Sequence, residues 1–190
     1  MRVFKLTHDN ERYQYFLGSD GCVDPFGTLE GYSVKDDWSP PAVRIPKPEL
    51  EPGNFFNFGN GYLIADSRAT EAVMACIEPS GELLPLPYAG QTYTVFNCTV
   101  CPDCLDHKKT TWRDPEGDCP ASIDRYVFRC GLIPMQPIFK IPEEDKIALF
   151  FTLGQLDPHG YDLREMIRRE GLKGLILTEV WRDESETADA

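Results

Sequence analysis

The chain has 190 residues, of which 42% are hydrophobic, and it carries a formal net charge of −12 with an isoelectric point near 4.6. A hydrophobic share of this size can form a core, which excludes a globally disordered protein. The negative charge repels nucleic-acid phosphates and anionic membranes, so we expect neither as a partner, whereas basic proteins are attracted.

The N-terminal segment lacks the features of a signal peptide, because polar and charged residues interrupt it throughout. The longest apolar run, residues 147–151, is far too short to cross a bilayer. These features predict a soluble protein of the cytoplasm. Its seven cysteines cannot all pair within one chain, so we expect reduced thiols.

The predicted elements begin with a strand over residues 2–6, which is rich in branched and aromatic side chains. A proline-rich stretch then continues to about residue 60. Its prolines oppose helix and central strand, yet it holds many aromatic residues, so we predict an extended segment that wraps over the core. The first helix is predicted over residues 67–77, with Asp66 or Ser67 as its N-cap and apolar residues at spacings of three and four.

The second half of the chain is predicted to contain further strands and one more helix. A polar surface loop is expected over residues 105–124. The second helix should begin at Asp157–Pro158 and end at Gly171 in a left-handed cap. The remaining predicted strands occupy residues 91–100, 125–130, 138–141, 147–152 and 174–181. Because this order lacks a repeated βαβ rhythm, it favours an α+β fold with a mixed, largely antiparallel sheet, two main helices and the proline-rich wrapping segment.

The domain organisation is predicted to be simple. We expect one domain over residues 1–182, followed by an acidic tail over residues 183–190 that frays. If the domain divides into two lobes, they meet near residues 86–92. The sequence contains no internal repeat, and nothing in its pattern indicates a homo-oligomer.

The most evident candidate for a metal site is the series Cys98, Cys101, Cys104 and His107, whose members are spaced three residues apart. Thiolates and imidazoles are zinc ligands, so a small zinc-binding regulatory or interaction module is one interpretation. Two features argue against it. Side chains three residues apart in a strand point to opposite faces, and no second cysteine pair with zinc-finger spacing follows. We therefore expect free thiols, without a metal or another cofactor.

Common catalytic and nucleotide-binding motifs, such as GxSxG, HExxH, the P-loop and GxGxxG, do not occur in the sequence. We therefore predict a non-catalytic protein that acts by binding another protein. The candidate contact residues combine acidic side chains with an aromatic one, as interface hot spots do. They are Asp36, Asp37, Trp38, Glu143, Glu144 and Asp145. The alternative is a set of solvated acidic side chains beside a core tryptophan.

The chain contains several short stretches in the order that is typical of one protein family. They are RVFKL at 2–6, ADSRA at 65–69, GELLPL at 81–86, Asn97-x-Thr99 with Asp103-x-Leu105-Asp106, PIFKIP at 137–142 and GLKGLILTEVW at 171–181. With them, the chain resembles the bacterial polymorphic-toxin immunity family numbered eleven, which was first catalogued as a domain of unknown function and is common in myxobacteria. PIFKIP and GLKGLILTEVW are the most specific of these stretches.

The resemblance implies an immunity protein that binds and neutralises a cognate toxin encoded nearby. Toxins of such systems are often nucleases, so a basic nuclease-type effector is the expected partner, in agreement with the acidity of the chain. The family has no established catalytic residues. Its members often have apolar residues where this chain has Cys98 and Cys101, which weakens the zinc interpretation further.

Overall fold

The computed structural model describes residues 1–19, 31–57, 62–113, 122–153 and 162–183. Within these ranges the chain forms twelve strands and two helices. In chain order they are β1 (Arg2–His8), β2 (Leu17–Gly18), β3 (Val43–Arg44), β4 (Phe55–Phe56), β5 (Leu63–Ala65), α1 (Ser67–Ile77), β6 (Gly81–Tyr88), β7 (Gln91–Cys98), β8 (Thr111–Trp112), β9 (Ile123–Arg125), β10 (Ile138–Phe139), β11 (Leu149–Leu153), α2 (Leu163–Glu170) and β12 (Leu175–Arg182).

Two four-stranded antiparallel sheets form the framework. The first sheet has the strand order β10-β11-β1-β12, and the second has the order β4-β5-β7-β6. The pairs β2–β3 and β8–β9 form two small antiparallel ribbons. The predicted α+β class with largely antiparallel strands is therefore confirmed.

Both sheets are buried on two faces, because alternate residues of one strand enter different cores. In β1, Phe4 and Leu6 point into a central core, whereas Val3 points into a second cluster on the opposite face. In β5, Leu63 likewise enters the central core and Ile64 a third cluster. One face of each sheet and both helices contribute to the central core.

The outer faces of the sheets are covered by irregular segments. Tyr126 and Phe128 cover the first sheet, together with side chains near Cys104. Phe16 and Val43, from the proline-rich stretch, cover the second sheet. The predicted wrapping segment is thus confirmed for its described residues.

The ends of the two helices are capped as predicted, except at the start of α2. The side chain of Asp66 accepts a hydrogen bond from the Ala69 backbone N–H, so the predicted cap of α1 is confirmed. Gly171 ends α2 in the left-handed region, as predicted. The predicted start of α2 is wrong, because Asp162 has an extended backbone and caps the Arg164 and Glu165 N–H groups. Asp157–Pro158 lie outside the described residues.

Three strand assignments also differ from prediction. Residues 81–88 form β6, which pairs with β7 through a two-residue turn at Ala89–Gly90, where both residues have positive φ. The expected loop over 105–124 contains β8, which pairs with β9. The strand predicted over 125–130 is observed earlier in the chain, as β9, which ends at Arg125. The aromatic side chains that follow, Tyr126 and Phe128, pack into the cluster on the first sheet.

Neither helix among the described residues is long and apolar enough to span a membrane. Of the acidic tail, the structure describes only Asp183, whose backbone N–H donates to the Met1 carbonyl at 2.9 Å. The fraying predicted for the tail lies outside the described residues.

Candidate functional site

Residues 31–38, which we call the strap, lie against the outer edge strand β6. The backbone N–H of Val34 donates to Glu82 Oε2 at 2.9 Å, and Trp38 Nε1 donates to the Pro85 carbonyl at 2.8 Å. The strap is thus hydrogen-bonded to β6 on both sides of residues 35–37. The edge of β6 can accept these contacts because the opposite edge pairs with β7.

The predicted contact residues Asp36 and Asp37 lie in a short 3-10 turn between these two fastening points, and both are exposed. Trp38 is half-buried and packs against the third cluster. Its ring and its N–H both have partners within the protein. Trp38 therefore anchors the strap, while the two carboxylates and the neighbouring exposed Lys35 face solvent.

The second predicted contact segment is a 3-10 turn, Pro142–Glu144, that ends at Asp145 in the left-handed region. Of its three acidic residues, only Asp145 is exposed. Glu144 is 17% exposed and accepts hydrogen bonds from Lys5 Nζ, at 2.6 Å, and from the Tyr126 hydroxyl. The expectation of three solvated carboxylates is therefore wrong for Glu144, since distant cationic and phenolic partners hold it inward.

Glu143 is turned inward too, with 8% of its side chain exposed. Its Oε1 lies 2.7 Å from Nε2 of His107. His107 lies in a turn that begins at Asp106, whose side chain accepts hydrogen bonds from the backbone N–H groups of Lys108 and Lys109. The imidazole also lies against the Trp112 ring, with centroids 6.0 Å apart.

Tyr126 shows how strongly the surroundings of Glu144 are desolvated. Burial raises the pKa of the Tyr126 hydroxyl far above its ordinary value of 10, and the hydrogen bond to Glu144 raises it further. The hydroxyl therefore remains a donor to the carboxylate. This network stabilises the turn and leaves little of Glu144 for a partner.

The strap and the turn meet at Tyr32. Lys146 Nζ lies 5.5 Å from the centre of the Tyr32 ring, and the Tyr32 carbonyl accepts a hydrogen bond from Asn97 Nδ2 at 2.8 Å. The Tyr32 side chain is nevertheless 66% exposed. Two segments more than 100 residues apart are thus in contact, and we call their exposed residues Tyr32, Asp36, Asp37 and Asp145 the strap face.

Most of the net negative charge belongs to residues outside the described ranges. Residues 20–30, 114–121, 154–161 and 184–190, which lie outside the described ranges, contain ten Asp or Glu residues and no Lys or Arg. The described residues are consequently close to neutral. The strap face is therefore distinguished by an exposed aromatic ring beside carboxylates, and long-range attraction of a cationic partner depends on the whole chain.

The cysteine series that was considered as an alternative zinc site does not converge. Among the described residues, Cys98, Cys101, Cys104 and His107 do not form a group whose ligand atoms lie within 4.8 Å of one another. Cys98 and Cys104 are fully buried, and Cys98 Sγ donates weakly to the carbonyls of Val100 and Ile138. Alternation along an extended segment separates these thiols.

The same burial affects the chemistry of the thiols. Desolvation raises the pKa of Cys98 to about 11 and that of Cys104 to about 12, and it also raises the pKa of the half-buried Cys101. A thiolate is the form that binds metals and attacks electrophiles. Cys98 and Cys104 therefore act as small buried hydrophobic groups. Asp103 and Glu143, which do lie near His107, were not among the metal-ligand candidates predicted from the sequence.

Compared with protein-family models and with curated proteins, the chain finds no match. The resemblance to the immunity family therefore remains a prediction, and the argument for function depends on the strap face.

Proposed function

We propose that the protein is an immunity protein, which binds a cognate protein toxin and neutralises it without catalysing a reaction. The observation that carries the proposal is the strap face, where the exposed Tyr32 ring shares a short segment with Asp36 and Asp37 and contacts Lys146 next to the exposed Asp145. Exposed aromatic side chains are enriched at the centres of protein interfaces, where the ring is buried at a low cost in conformational entropy.

The strap supports this role because its own hydrogen bonds order it in the unbound protein. Hydrogen bonds from Val34 and Trp38 to the β6 strand fix the backbone that carries Asp36 and Asp37. A pre-ordered surface loses less entropy on binding than a loose loop. The proposal therefore combines a rigid aromatic contact with carboxylates that select a cationic partner.

A basic nuclease-type toxin is the partner that fits the charge. The net charge of −12 accelerates encounter with a cationic surface, and salt reduces this effect. Carboxylates on the strap face would then pair with Lys or Arg side chains that otherwise bind nucleic-acid phosphates. The cytoplasm of the producing bacterium is the compartment in which such protection is needed.

The test is co-expression with the toxin encoded beside the gene. We expect rescue of growth and a complex that co-purifies. Tyr32→Ala and the triple variant Asp36→Asn, Asp37→Asn, Asp145→Asn should each raise the Kd at least tenfold, which corresponds to about 1.4 kcal/mol. Rescue that does not depend on a complex, or a neighbouring gene that encodes no toxin, would refute the proposal.

A matched control separates the strap face from net charge. Glu49, Glu71 and Glu78 are exposed and lie outside the strap face. Replacing all three with Gln removes the same charge as the strap triple variant. If the strap face is the interface, the control should slow association slightly, whereas the strap variant should also speed dissociation. Equal effects of both variants on dissociation would contradict the proposed surface.

A further inference from the structure

Two carboxylates and an imidazole from distant parts of the chain meet beside the buried cysteines. Asp103, His107 and Glu143 each offer one ligand atom, and these atoms all lie within 4.8 Å of one another. His107 Nε2 is 2.7 Å from Glu143 Oε1 and 3.9 Å from Asp103 Oδ1. The group is therefore compact enough to be compared with a metal site.

The Glu143 carboxylate provides an independent indication of a ligand. Its side chain is only 8% exposed, yet its Oε2 is buried and finds no hydrogen-bond partner among the described residues. A buried carboxylate oxygen without a partner is energetically unfavourable, because nothing replaces the water it has lost. A cation next to His107 would provide the missing partner.

The distances suit a small divalent ion after modest adjustment. Zn²⁺ binds imidazole nitrogen and carboxylate oxygen at about 2.0–2.2 Å, so two ligands of a tetrahedral ion lie roughly 3.4 Å apart. The separations of 2.7 and 3.9 Å lie on either side of this value. Asp103 and His107 are exposed, which leaves the remaining coordination position to water.

The backbone that carries each ligand is held in place by contacts of its own segment. Leu105, which lies between Asp103 and His107 in the sequence, forms a β-bridge with Phe128. The backbone that carries the two ligands Asp103 and His107 is therefore attached to the cluster on the first sheet. Glu143 belongs to the 3-10 turn whose next residue, Glu144, is held by Lys5. Binding of an ion therefore requires side-chain rotation and no rearrangement of the sheets.

Arg129 is the competitor for this site. Its guanidinium lies 2.7 Å from Asp103 Oδ1 and also donates to the Asp103 backbone carbonyl. A bound ion has to share the Asp103 carboxylate with Arg129 or use its second oxygen. Removing the guanidinium should consequently strengthen metal binding, whereas a plain surface ion-pair network predicts no such effect.

We propose that Asp103, His107 and Glu143 form a binding site for a divalent transition-metal ion of the Zn²⁺ type. This ligand set shares only His107 with the cysteine series that the sequence indicates. Cys98 and Cys104 do not belong to it, because both are fully buried and their thiols lie outside the compact group.

Calorimetric titration of the chelator-treated full chain with Zn²⁺ tests the site directly. We expect one equivalent to bind, with a Kd that rises at least tenfold in Glu143→Gln and falls in Arg129→Gln. The control is Asp145→Asn, which removes the same charge two residues away at a left-handed position that Asn tolerates well. Its Kd should stay within about twofold of the unmodified value.

Co²⁺ in place of Zn²⁺ identifies the ligand atoms. Nitrogen and oxygen ligation gives visible d–d bands without the near-ultraviolet charge-transfer band of a cobalt–thiolate bond. Urea denaturation of Glu143→Gln establishes that the variant is folded. Less than stoichiometric binding, a thiolate band, or equal affinity of Glu143→Gln and the unmodified protein would each overturn the proposal.

Discussion

The turn between α2 and β12 joins the two sheets, and Gly174 allows the chain to approach closely there. The Lys173 carbonyl accepts hydrogen bonds from the backbone N–H groups of Asn54, at 2.9 Å, and Phe55, at 3.0 Å. Gly174 has φ of +100°, and a Cβ at this position would press into the Phe55 carbonyl oxygen. Gly174→Ala therefore perturbs the junction between the sheets.

Two contributions determine the expected loss of stability. A residue with a Cβ costs about 1–2 kcal/mol in the left-handed region. Relieving the clash at Gly174 also separates Phe55 from Lys173, which weakens two hydrogen bonds that contribute ~1 kcal/mol each. We expect Gly174→Ala to lower the free energy of unfolding by about 3–4 kcal/mol, a large part of the ~5–15 kcal/mol typical of a domain.

Gly171 offers a matched control on the same turn. It has φ of +61°, and a Cβ there would meet no atom of the described residues within 4 Å. Gly171→Ala should therefore show the conformational cost alone, about 1 kcal/mol. Urea denaturation followed by circular dichroism measures both variants. Equal losses of unfolding free energy would refute the argument that the close approach to Phe55 matters.

Two further predictions concern polar contacts. Hydrogen bonds from Arg182 and Arg2 lower the pKa of Glu179 to about 2 from its ordinary 4.5. This carboxylate therefore stabilises the fold above about pH 4.5, and the difference in urea midpoint between the native protein and Glu179→Gln should shrink as pH falls toward 2; a constant difference contradicts this. Trp38→Phe removes the hydrogen bond to Pro85 and should lower the free energy of unfolding by about 1 kcal/mol, measured by urea denaturation; an unchanged midpoint would show that the strap does not depend on it.

The helix α1 was predictable because all its determinants are local. The spacing of its apolar residues, the Asp66 cap and Pro79 beyond its end lie within one short stretch. The end of α2 was predictable for the same reason, since Gly171 alone supplies the left-handed cap. Its start was not, because Asp157 followed by Pro158 is a local signal for a helix start, whereas α2 is capped by Asp162.

The strand β6 was missed because its prolines have to be judged in three dimensions. Pro85 and Pro87 are unfavourable in a central strand, and no strand was predicted over residues 81–88. In the fold, β6 is the outer strand of its sheet among the described residues, and it pairs only with β7. An edge strand tolerates proline because one side of its backbone needs no partner strand. Strand order, which depends on the whole chain, decided the outcome.

The inward orientation of Glu143 and Glu144 depends on partners that no local pattern connects to them. Lys5 lies 139 residues before Glu144, and its ammonium turns that carboxylate away from solvent. His107 does the same for Glu143. In sequence, three adjacent acidic residues suggest a solvated patch with equivalent members. Packing instead gives each one a different role: Glu144 stabilises the turn and Asp145 faces solvent. Glu143 keeps one buried oxygen that has no partner in the described part of the chain, and a divalent ion would supply one.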